Sequence, residues 1–234
     1  MAEAIITTTI TITDPALLRL LQLASPLLPV GAYAYSQGLE YAVHQGWVRD
    51  EASVRDWIAG LLRHALARVD VPVLARLYRA WMDGDAVGVR GWNDWLYATR
   101  ETRELRLENR QLGMALARLL ADLGLTEAEP WQTDPRACFA TPFALAAARW
   151  AIRLADAAAA YAWAWCENQT AAAIKLIPLG QTAGQRILSA VQPVIVAAVG
   201  RGLGLADDDL GCATPALALA STLHETQYSR LFRS

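Results

Sequence analysis

Apolar positions recur at helical spacing along most of the chain, and the breaks between them predict the elements. Asp14 and Pro15 make a helix start, and Leu17, Leu20, Leu21 and Ala24 follow at i, i+3, i+4 and i+7. Pro29 and Gly31 break that run; a second helix begins at Ser36 and ends near Gly46. A third starts at Asp50, with Val54, Trp57, Ile58, Leu61, Leu62 and Ala65 on one stripe. A fourth opens at Pro72, carries Leu74, Leu77, Tyr78 and Trp81, and stops at Asp83-Gly84-Asp85. Residues 86–123 read as one long helical region, and residues 126–135 as a polar, proline-containing connection and candidate hinge. Thr141-Pro142 opens an alanine-rich helix, and another runs to Leu176 before Pro178 and Gly180 end it. Pro193 is expected to kink or break the following helix. Residues 200–211 form a loop, and Thr214-Pro215 opens a last helix that reaches about Tyr228.

One stretch departs from this period. Ala4 to Thr13 alternates Ile and Thr, a strand-like pattern. A single strand without a partner is not stable, so residues 1–13 read as a flexible extension or as an edge for another chain. Residues 14–234 then form one all-α domain, a helical bundle of about ten helices.

Composition narrows what such a bundle can do. Apolar residues are 54 % and charged ones 19 %, with nine tryptophans, which points to surface buried in an oligomer or complex, or to a core rich in alanine. A net charge of −2 gives no global attraction to nucleic acid or to an anionic membrane. Three scattered cysteines imply a reducing compartment without a disulfide framework. The N-terminus lacks a signal-peptide pattern, and the apolar run over residues 187–199 is too short to span a bilayer, so the expected location is cytoplasmic.

No enzyme constellation is visible. The chain has no phosphate-binding glycine loop, no nucleophile elbow, no C-x-x-C pair and no H-x-x-x-H pair. His44, His64 and His224 lie far apart; His224 beside Glu225 could be a ligand pair, but a histidine on a helix surface is the simpler reading. Asp207 to Asp209 read as a solvated loop. No catalytic residue, metal ligand or cofactor is therefore assigned.

Candidate contact residues are more evident. In the loop over residues 28–40, Tyr33 and Tyr35 pair apolar area with hydroxyls, Ser36, Gln37 and Glu40 add polar groups, and Gly38 lets another backbone come close. A core-lining turn would look the same. From Arg100 to Arg110, a helical wheel puts Glu101, Glu104 and Glu108 on a sector bordering the core. Arg103, Arg106 and Arg110 fall on an outward sector, a docking face for a charged partner or a plain solvated surface, and Arg100 has Glu104 as its well-placed opposite charge. Lys175 is the only lysine among 21 basic residues; it sits in an apolar setting at a helix end, either chosen for its compact charge or snorkelling there.

The run over residues 20–48, the segment Lys175 to Gln181 and the ending His224 to Ser234 together resemble the UreF family of urease accessory proteins, from about Leu17 to the last residue. Ala32, Ala34 and Leu179 depart from that pattern by small changes. The resemblance implies a scaffold for assembling the nickel site of urease, which binds UreD (UreH), recruits the GTPase UreG and engages the urease apoprotein, with hydrolysis coupled to nickel transfer. It implies that residues 28–40 serve self-association, giving a homodimer within the complex, and face UreG. It links Lys175 to control of the GTPase, and Glu225, Tyr228, Arg230, Leu231 and Phe232 to the UreD-facing surface. An all-α enzyme with a pocket for an isoprenoid-like ligand, and an arginine-supplying activator of a GTPase, are the alternatives.

The tail, Ser229 to Ser234, is expected to be unstructured until a partner orders it. Fixing six residues costs roughly 6–12 kcal/mol of backbone entropy, while burying Leu231 and Phe232 returns roughly 3–6 kcal/mol. The spacing of histidines and cysteines also predicts that the isolated protein binds Ni²⁺ no more tightly than micromolar, and calorimetry finding a stoichiometric nanomolar site would overturn this.

Overall fold

Side-chain caps set four of the ten helix starts. A computed structural model describes residues 14–211 and 214–234, and ten α-helices, with no strand, occur among the described residues. In α1 (Pro15–Ala24), the Asp14 carboxylate accepts from the Ala16 amide; in α3 (Glu51–Leu61), Asp50 and Ser53 form a reciprocal capping box. Between them lies the short α2 (Leu39–His44). The central pair is α4 (Asp70–Asp83) and α7 (Ala140–Arg149), whose small and branched side chains are nearly all buried. Around it stand α5 (Ala86–Ala98), α6 (Arg103–Asp122), α8 (Leu154–Leu176), α9 (Gln181–Leu203) and α10 (Pro215–His224). α8 packs on α1, α2 and α9, so one long alanine-rich helix ties the N-terminal segment to the rest.

Several details differ from the sequence reading. Residues 86–123 form two helices, because the chain leaves α5 at Thr99 and restarts with Thr102 as cap, its hydroxyl accepting from the Leu105 amide. Glu101 therefore stands outside α6, and Arg100 does not pair with Glu104. Arg100 turns inward and forms a two-pronged ion pair with Asp70 of α4, which also accepts from the Tyr161 hydroxyl at 3.3 Å. The expected hinge is packed: Thr126–Gln132 coils against α6, Ala128 and Trp131 are buried, and Arg90 both bridges Asp134 and stacks on Trp131 at 4.2 Å. α9 continues through Pro193 without a break. Both Ser189 and Pro193 lie on its exposed side, where a carbonyl left without an N–H faces water. With 23 residues, α9 is long and apolar enough to cross a bilayer, yet its inner face (Ile187, Leu188, Val191, Ile195) is buried against α3, α4 and α8. The extension expected over residues 1–13 lies outside the described residues.

The Asp70–Arg100 pair is largely buried between α4 and the segment that joins α5 to α6, and an arginine left unpaired there carries a large desolvation penalty. Replacing Asp70→Ala should lower the unfolding free energy by about 3–5 kcal/mol in urea titrations, and an unchanged midpoint would show that the pair is dispensable.

Candidate functional site

The loop over residues 28–40 is shaped to bring polar groups inward. Gly31, at φ 80°, starts a turn over Ala32–Ala34, after which Tyr35 and Ser36 run into the interior. Gln37 and Gly38 then adopt successive left-handed conformations, φ 52° and 77°, and swing the chain into α2. Gly38 meets α10 so closely that a Cβ there would lie 3.0 Å from the Ser221 nitrogen. Close approach is thus what the glycine is for, and it carries Glu40 into the core with only 7 % of its surface exposed.

Glu40 is the meeting point of three segments. One carboxylate oxygen accepts from the Leu231 amide at 2.6 Å; the other accepts from the Phe232 amide at 2.9 Å and faces His224 Nε2 at 3.2 Å. His224, fully buried at the end of α10, has its other ring nitrogen 2.6 Å from Glu104 of α6. Glu104 in turn accepts from Arg230 at 2.7 Å, and Glu225 accepts from the Glu104 amide at 3.3 Å. A second cluster sits beside it. Arg233 donates its amide to the Ala34 carbonyl and Ser36 donates its own to Ser234 O, at 2.9 and 2.8 Å. The Ser234 hydroxyl donates to Glu108 at 2.9 Å, and Gln37 bridges Glu108 (2.7 Å) to the Trp165 indole N–H (2.7 Å).

The tail is therefore docked on its own domain, contrary to the disorder expected of residues 229–234. Leu231 stays exposed and only Phe232 is buried, so apolar area alone would not hold it. What holds it is a set of backbone bonds, two of them to a carboxylate, each worth more than a neutral hydrogen bond.

Of the residues singled out from sequence, Tyr35, Ser36, Gln37, Glu40, Glu225, Arg230, Phe232 and Lys175 come together here. Lys175, exposed in the last turn of α8, holds its ammonium 5.5 Å from the centre of the Phe232 ring. Tyr35 is buried rather than displayed, with its hydroxyl on Gln111; burial pushes its pKa up. Tyr33, 71 % exposed, and Tyr228, fully exposed, lie on the outer surface. Arg103 and Arg106 are exposed as expected, although Arg106 is anchored to the Arg100 carbonyl at 2.7 Å, and Arg110 is only half-exposed. Glu104 and Glu108 do border the core, as the wheel indicates. His224 is the main correction: it is a buried partner of two glutamates and not a surface histidine, and nothing in its local pattern distinguishes it. Exposed leucines at 17, 18, 21 and 27 add an apolar stripe along α1 and the loop after it.

Beside the second cluster is a cavity of about 220 Å³ whose lining includes Gln37, Glu108, Asp70, Arg100, Tyr161 and Leu105. Asp207 to Asp209 are not among its lining residues, and Asp207 is paired with Arg76 instead. Among the described residues no group of three or more His, Cys, Asp or Glu is arranged to hold a metal ion. Cys138 and Cys166 are buried, which pushes both thiols up to about 12 and leaves them unreactive; Cys212 lies outside the described residues.

Glu108 accepts hydrogen bonds only from neutral donors, and burial pushes its pKa from 4.5 up to about 7, more than those bonds and the nearby Arg100 charge hold it down. The folded protein then keeps a proton that the unfolded chain releases, so stability is greatest below pH 4.5 on this account and falls as pH rises through 7. Glu108→Gln should remove that fall, gaining on the order of 3 kcal/mol on the parent between acid and pH 8. Parallel pH dependences of the two proteins in denaturant titrations would refute the assignment.

The UreF family model matches residues 48–192. A urease accessory protein UreF of Alkalilimnicola ehrlichii is 60 % identical over 224 residues, covering 95 % of this chain and 98 % of its own. Those of Chromohalobacter salexigens and Teredinibacter turnerae are 54 % and 51 % identical, covering 94 % and 93 % of this chain and 96 % and 98 % of their own. With matches of this extent, the chain belongs to the UreF family of urease accessory proteins.

Proposed function

We propose that this protein is a non-catalytic scaffold in maturation of the nickel centre of urease. It binds UreD (UreH), recruits the GTPase UreG, and engages the urease apoprotein as a homodimer in the cytoplasm, so that GTP hydrolysis is coupled to nickel insertion. The metal is cargo in this reading, and the protein supplies surfaces and no chemistry of its own.

The observation that carries this reading is convergence. Three stretches far apart in sequence, residues 33–40, Lys175 and residues 224–234, meet in one assembly whose polar groups are spent on holding the tail in place. Outward from that assembly point Tyr228, Leu231 and the Lys175 ammonium, a mixed apolar and cationic surface suited to a protein partner. The exposed leucines of α1 support self-association through a separate face.

A pull-down from an extract containing the urease accessory proteins tests the reading, with the affinity tag at the N-terminus because Ser234 is buried. UreD and UreG should be retained, and neither being retained would refute it. Within the complex, Lys175→Ala should leave folding nearly intact, since a lysine at a helix end contributes at most about 1 kcal/mol, and should lower urease activation. Normal activation per folded molecule would remove Lys175 from the partner surface.

A further inference from the structure

Lys175 is the chain's one lysine, and it forms no salt bridge among the described residues. Its neighbour is instead the ring of Phe232, 5.5 Å away. That ring does not move freely: Phe232 is buried, its amide is bonded to Glu40, and the residues on either side are bonded to Glu40 and to the Ala34 carbonyl. A flexible four-carbon side chain at an exposed helix end would otherwise sample many positions.

We propose that Phe232 is a positioning residue for Lys175, its ring being the platform that holds the ammonium at one place on the surface. An aromatic face attracts a cation through its quadrupole without cancelling the charge. A carboxylate in the same place would fix the lysine but neutralise it. The ring leaves a full positive charge available to an anionic side chain of a protein partner. It also makes the tail a condition for that charge being in place, because the platform exists only while residues 231–233 are docked. The proposal rests on the reading of Lys175 as a partner contact, and adds what places it.

The single lysine makes the test direct. Reductive methylation of the full chain with ¹³C-formaldehyde labels Lys175 and the terminal amine and keeps the charge, and Lys175→Arg identifies the lysine signal by its loss. In the parent protein that signal should lie upfield of free dimethyl-lysine through the ring current. It should return to the free position in Phe232→Leu and stay shifted in Phe232→Tyr. Slow exchange of the amides bonded to Glu40 reports that the tail is still docked; if Phe232→Leu releases it, pentafluorophenylalanine at position 232 keeps the shape and reverses the quadrupole. A parent signal at the free position, or one that the pentafluoro ring leaves in place, overturns the proposal.

The functional arm is urease activation per folded molecule. Loss of an exposed cation–π contact should lower it roughly two- to five-fold, and Phe232→Leu combined with Lys175→Ala should fall no further than Lys175→Ala. With the tail shown by amide exchange to be docked in the double variant, an additional loss would mean that Phe232 acts on a partner directly, and would overturn the positioning role. A ring-shifted lysine together with normal activation by Lys175→Ala leaves the positioning intact and refutes the reading of Lys175 on which it rests.

Discussion

Burying a carboxylate costs several kcal/mol unless its oxygens are met by donors, and Glu40 meets that demand with three segments at once. Two consecutive tail amides and the His224 imidazole all converge on it. None of these partners is local: they lie 184 to 192 positions away in the chain. Glu40 can be inside only if α2, α10 and the tail are all in place, and α2 reaches α10 only because Gly38 has no side chain to hold them apart. A left-handed turn of two residues, a close helix contact and a docked tail are therefore parts of one arrangement, with the carboxylate as its common point.

The same logic recurs one and two turns along α6. Glu104 faces His224 and Arg230, so its charge has a cation to answer it. Glu108, four residues later, faces only the amide of Gln37 and the hydroxyl of Ser234, and burial lifts it to about 7. The two carboxylates share one helix face but differ in partners: charged groups answer one, and neutral donors the other. Glu108 also lines the cavity together with the Asp70–Arg100 pair. Ser234 is thus joined through Glu108 to the polar part of that lining.

The helices were legible because their starts are marked locally: Asp14 with Pro15, Asp50 with Ser53, and Pro215 all act within four residues. The break between α5 and α6 was not, since no glycine or proline lies between Thr99 and Thr102; the chain turns there because Arg100 has a partner 30 positions back in Asp70. The acidic face of α6 was readable from a wheel, as side-chain direction along a helix is set by its period. The role of His224 was unreadable for the opposite reason. A histidine at the end of an amphipathic helix looks the same whether or not two glutamates from distant segments close over it. The tail misled for a related cause: its apolar content is too small to hold it, and the groups that do hold it are backbone amides, which sequence does not distinguish.

A docked tail and a partner-binding tail are compatible, because the segment alternates. Phe232 and Ser234 face inward while Leu231 and Arg233 face outward, the period of an extended chain. The inward pair joins the tail to Glu108 and to Lys175; the outward pair, with Tyr228 fully exposed ahead of it, remains open to another protein. A segment ordered beforehand spares any partner the entropy of ordering it, which is the physical advantage a docked tail has over a free one. The buried carboxylates of Glu40 and Glu108 thereby set the register in which Leu231 and Arg233 are shown at the surface.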